Sequence, residues 1–157
     1  MKVIVYIILV ILFAVMGFWF HKGFYELSFS LLKNGNVTLI NRTTAGQFNS
    51  DLIFATSIGL IPLFYLVIEK ITNIKFIYKG LIAAAIILIT GIVFWRLRIY
   101  GLNVQFEELA LYDLPDGLIP EFDIVNLKFE IYLFMGFIVG TLISILIFRD
   151  HNKPLLN

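Results

Sequence analysis

Arg96 and Arg98 close one long apolar stretch, and the segment that follows, residues 101–127, holds Glu107, Glu108, Asp113, Asp116, Glu121 and Asp123 with no basic residue. A guanidinium is a planar fork of donors that matches a carboxylate or a phosphate. Three chemistries fit this juxtaposition. The arginines can hold the acidic segment as a salt-bridged lid, they can form a site for an anionic lipid or ligand, or Glu107, Glu108, Asp113 and Asp116 can offer a docking patch to a basic partner. Residues two apart point to nearly opposite faces of a helix, so one arginine is expected to face inward and the other to meet lipid headgroups. Calcium at Asp113 and Asp116 is not expected, because their spacing is not that of an EF-hand loop.

Other reactive side chains are sparse. His21 and His151 lie at opposite ends of apolar runs, too far apart to share a metal or a haem, and each is expected to be an exposed interfacial residue. Glycine-rich phosphate loops, a nucleophile elbow and histidine–glutamate zinc motifs are missing from the sequence. No catalytic residue, cofactor site or metal site is therefore expected. Inside the apolar runs the polar groups are Tyr6, Thr56, Ser57, Tyr65, Thr90, Thr141 and Ser144, all able to bond a neighbouring helix or their own preceding turn. A chain that moves protons or ions usually places a charge inside its bundle, and these runs carry none. A hydroxyl-lined pore in a homo-oligomer is the form a channel would have to take.

Four elements must position these groups. The runs Val3–Phe20, Leu52–Ile68, Gly80–Trp95 and Ile131–Phe148 contain no charged residue. A helix of about 20 apolar residues crosses the hydrocarbon core, and lipid forces every backbone group to bond within its own segment. The expected spans are 3–20, 52–68, 77–99 and 131–148. The short third run recruits flanking residues whose stems, those of Lys79 and Arg96, reach headgroups. Pro62 predicts a bend in the second span, since it cannot donate to the carbonyl of Ile58. The first run is too long for a signal peptide and ends in Phe18, Trp19 and Phe20, which suit an interface better than a cleavage site. Gly136, Gly140 and Ser144 form a small-residue stripe along the fourth span, with similar patches at Ala55 and Gly59 and at Gly80 and Ala84, ready to pack another helix or a partner subunit.

Composition agrees with this reading. The chain of 157 residues is 60% hydrophobic, 16% aromatic and only 15% charged, with a mean hydropathy of +0.93, outside the range of soluble domains. A formal net charge of +1 with scattered basic residues excludes a nucleic-acid-binding role. The lack of cysteine excludes four-span classes that depend on redox thiols or stapled loops. The expected architecture is one all-α, polytopic membrane domain over 1–157, an up-and-down four-transmembrane-helix bundle. Its two larger connectors, 21–50 and 101–127, lie on one membrane face. In the second, Pro115-Asp116-Gly117 predicts a turn, and Asp123 or Asn126 caps a re-entry segment.

Lysine and arginine divide evenly between the faces. The lysine-bearing short loop tips the expectation toward cytoplasmic termini, and the isoleucine- and lysine-rich style toward a bacterial inner membrane. The expected function is that of a non-catalytic accessory, assembly or interaction subunit of a membrane complex, with another membrane protein or a second copy as partner besides the bilayer. A homo-oligomeric channel or small transporter is one rival. A lipid- or lipophile-binding protein is the other.

Overall fold

A computed structural model of the chain describes residues 2–33, 37–40, 44–72, 77–111 and 121–149. Among these residues, five α-helices and two short strands follow one another as α1 (Lys2–Ser30), β1 (Thr38–Ile40), α2 (Thr44–Gly59), α3 (Ile61–Thr72), α4 (Ile77–Leu111), β2 (Glu121–Asp123) and α5 (Phe129–Phe148), with a 3-10 turn at Ile124–Leu127 before α5. Four helical segments, Ile4–Ser30, Thr44–Thr72, Tyr78–Leu109 and Ile124–Phe148, are long and apolar enough to cross a membrane. The protein is an all-α four-helix membrane bundle.

The second span is α2 and α3 in series. Leu60 donates to Thr56 at 2.9 Å and Phe64 donates to Leu60 at 3.0 Å, so the helical bonds resume on both sides of the break near Pro62. The interruption at Leu60 falls beside the place where the proline N–H is missing.

Two helices outrun the bilayer. At about 1.5 Å per residue, the 29 residues of α1 and the 35 of α4 measure about 43 and 52 Å, against a core of about 30 Å. The helix that carries the third span therefore continues past residue 99. It runs through Gly101, and the physical reason lies in what the added turns bury. Leu102 and Phe106, one turn apart on α4, are 0% and 2% exposed, and burying two such side chains outweighs the roughly 1 kcal/mol that a helical glycine costs.

These projecting ends build a cap on the connector face. Leu32, Val37, Leu102, Phe106 and Leu127 are buried there, with Phe122 packed edge-on against Phe106 at 5.4 Å. β1 and β2 pair in parallel, Thr38 with Glu121, Leu39 with Phe122 and Ile40 with Asp123. Each strand leads toward a helix that returns from the same face, so the two run in the same direction. Asp123 caps the 3-10 turn, its side chain accepting from the Val125 N–H at 3.1 Å. The Pro115-Asp116-Gly117 turn and His151 lie outside the described residues.

Within the bilayer the helices meet on small residues. A Cβ added at Gly140 would run into the Thr90 hydroxyl and come within 2.8 Å of the Ile87 Cα on α4. One at Gly59 would stand 2.9 Å from the Ala14 Cβ and 3.2 Å from the Val10 carbonyl on α1. Backbone approach this close gives the pairs α4/α5 and α1/α2 their dispersion energy where lipid offers no hydrophobic drive.

Candidate functional site

α1 continues past its aromatic cluster for a further three turns, and this extension presents polar side chains to the rest of the cap. His21 and Tyr25 share one face at i and i+4, and Lys22 and Glu26 repeat the spacing beside them. Opposite stand Gln47 and Ser50 on α2, and Ile124 and Val125 in the 3-10 turn. Together with Phe29 these residues line a cavity of about 250 Å³ between α1, α2 and the 3-10 turn.

Two carboxylates stand behind the lining. The Tyr25 hydroxyl donates to Glu130 Oε2 at 2.9 Å, and Glu130 is only 2% exposed in the first turn of α5. The helix N-terminus favours a negative charge at that position. His21 Nε2 lies 3.4 Å from Asp51 Oδ2, with the two side chains 12% and 13% exposed. Its other ring nitrogen, Nδ1, sits 2.6 Å from the Phe18 carbonyl. Both imidazole nitrogens thus face acceptors, and neither is aimed at a serine hydroxyl. Asp51 Oδ1 is buried without a hydrogen-bond partner among the described residues. An unsatisfied acceptor of this kind costs about 1–3 kcal/mol.

His21 is therefore not the exposed interfacial residue that its place in the sequence suggests. The expectation of a bundle without ionisable groups also needs correction, at Asp51 and most fully at Glu130. Glu130 adjoins the uncharged run 131–148, and α5 begins early enough, at Phe129, to bury it. The signal available in the sequence was its place in a first helical turn. Its partner Tyr25 is 105 residues away, and no local pattern connects the two.

The arginines part company as their spacing requires. Arg98 turns inward: Nε donates to the Leu127 carbonyl at 2.9 Å, Nη2 to the Asn126 carbonyl at 3.0 Å, and the guanidinium lies 5.1 Å from the centre of the Tyr132 ring. Arg96 is exposed and rests against Trp95, 5.5 Å from its ring centre. The structure does not bring the two to a common anion site. Arg98 pins the re-entry turn through backbone carbonyls instead of carboxylates.

Glu107 pairs with Lys33 at 3.5 Å, both well exposed, a contact that contributes about 0–1 kcal/mol. Glu108 is exposed on the neighbouring position. Asp113 and Asp116 lie outside the described residues. Gly136, Gly140 and Ser144 all face α4, where the Ser144 hydroxyl donates to the Ala83 carbonyl at 3.4 Å. The stripe is used inside the bundle.

Two further contacts hold the cap shut. Trp95 Nε1 donates to the Ser28 hydroxyl at 3.0 Å. Asn103 bridges the end of α1, its carbonyl accepting from the Lys33 N–H at 2.8 Å and its amide donating to the Leu31 carbonyl at 3.2 Å. Comparison with known proteins finds no family model, curated sequence or solved structure that matches the chain.

Proposed function

We propose that this protein is a non-catalytic lipid- or lipophile-binding membrane protein, which holds the polar part of an amphiphile in the cavity on its connector face. The observation that carries this reading is the cavity's place and lining. It opens one turn beyond Phe18, Trp19 and Phe20, whose exposed rings suit the membrane interface. Its walls combine apolar side chains with a few fixed polar groups, the pattern of small-molecule sites. His21 and Tyr25 are tied to carboxylates and a carbonyl, which suits orienting a ligand more than deprotonating a nucleophile. In this reading the protein sits in a bacterial inner membrane with its termini in the cytoplasm and the cavity on the outer face.

The accessory-subunit reading keeps one supporting observation. Glu107 and Glu108 stand exposed near the tip of α4, beyond the bilayer, where a basic partner has access. Intact-mass measurement after purification in mild detergent tests both. The binding role predicts a monomer that retains an amphiphile, and recovery of a stoichiometric second protein with no retained amphiphile would transfer the conclusion to the accessory role. A bare homo-oligomer would transfer it to a pore.

A further inference from the structure

The order of charges along the cavity wall matches the order of charges in one class of lipid headgroup. α1 leaves the bilayer as its numbering rises, so His21 and Lys22 lie nearest the membrane and Tyr25 and Glu26 lie one turn farther out. Of the inner pair, Lys22 offers a cation, while both His21 nitrogens are already turned to the Phe18 carbonyl and the Asp51 carboxylate. Of the outer pair, Glu26 offers a carboxylate, while the Tyr25 hydroxyl donates to Glu130 and is itself hydrogen-bonded by Ser50. Lys22 and Glu26 are both exposed, and neither makes an ion pair among the described residues.

We propose that the cavity takes the phosphate–ammonium headgroup of an ethanolamine phospholipid, with the phosphate at Lys22 and the ammonium at Glu26. The assignment rests on the amphiphile-binding reading above and narrows it. In such a lipid the phosphate adjoins the glycerol and the ammonium lies two methylenes farther from the acyl chains, the same sequence of charge that α1 presents. Side chains at i and i+4 stand about 5–6 Å apart at Cβ, a spacing that suits two groups joined by so short a linker. A space of about 250 Å³ is sized for a headgroup and leaves the acyl chains in the bilayer. Phe29, Ile124 and Val125 supply apolar contact for the methylenes. A choline headgroup has no N–H to donate to Glu26. A glycerol headgroup has no cation for Glu26.

The cysteine-free chain allows a local readout. Val125→Cys, and separately Gln47→Cys, places a thiol in the cavity wall, and its reaction with a water-soluble maleimide is followed in nanodiscs. Discs of phosphatidylethanolamine with phosphatidylglycerol are expected to slow labelling about tenfold relative to phosphatidylglycerol alone, an occupancy difference of about 1.4 kcal/mol. Phosphatidylcholine is expected to protect little. Adding Glu26→Gln, a change at an exposed position, is expected to erase the ethanolamine preference.

Equal protection by phosphatidylglycerol would overturn the ethanolamine assignment while leaving a lipid site in place. Equally fast labelling of both thiols in every lipid would remove the binding role itself. Protection by soluble phosphoethanolamine that matches that of the lipid would reject a lipid source for the headgroup.

Discussion

Tyr25 and Glu130 form the most consequential polar contact in the molecule, because one partner is a carboxylate almost wholly withdrawn from solvent. Tyr25→Phe removes the donor and leaves that oxygen unsatisfied. It is expected to lower stability by about 1–3 kcal/mol in a denaturant titration in detergent. Adding Glu130→Gln should recover part of the loss, since the charge that needed the donor is gone. Strictly additive losses would show that the pair is not coupled.

Arg98 and Arg96 give a second contrast. Arg98→Gln deletes two charge-assisted bonds to the carbonyls of residues 126 and 127, and hydrogen exchange over residues 121–127 is expected to rise at least about tenfold. Arg96→Gln is expected to leave exchange there unchanged. The divergence of the two side chains is legible from their spacing alone. Their partners are not, because every residue carries a carbonyl and nothing in the sequence marks the ones that Arg98 reaches.

The spans are the most legible elements, since lipid allows little but an uninterrupted apolar helix. Their ends are less so. α4 passes Gly101 because Leu102 and Phe106 find a core beyond the membrane, and that core is assembled from α1, both strands and the 3-10 turn, which hydropathy along one helix does not register. The small-residue stripe on α5 is likewise visible in the sequence, whereas its direction is settled only by Gly91, Ile87 and Ala83 on α4. Gly140→Leu is expected to lower thermal stability in detergent by about 1–3 kcal/mol, the usual cost of overpacking. Gly23→Leu serves as its control, because a Cβ there meets nothing within 4 Å. Comparable losses for the two would detach the stripe from the α4/α5 contact.

The bundle as a whole has unequal ends. On the connector face, helices, strands and turn share a core that resembles a small soluble domain, and the cavity lies against it. The parallel pair ties the two connectors together beside the Asn103 bridge. Cysteines at Leu39 and Phe122, which are register partners, are expected to form an intramolecular disulfide on mild oxidation, because neighbouring strands stand about 4.8 Å apart, within disulfide reach. Cysteines at Leu39 and Glu121, one register step apart, should cross-link more slowly.

A related pair of single cysteines, at Lys70 and Glu108, is expected to react with an impermeant label from opposite sides of the membrane. Reaction from one side would mean that the span between them does not cross.

The strand pair also sets a schedule for the making of this protein. β1 is synthesised roughly eighty residues before β2, and at about 5–20 residues per second it waits on the order of 4–16 s for its partner. During that interval Val37 and Leu39 stand without the strand and turn that later cover them. Only when the last helix has entered the bilayer can the cap close and the cavity take shape. A ribosome-bound chain truncated before Glu121 should therefore be far more open to an added protease between residues 31 and 44 than the finished protein. Under the proposed binding role, the site is completed only at the last step of insertion, and a chain that stalls before Glu121 carries three spans without it.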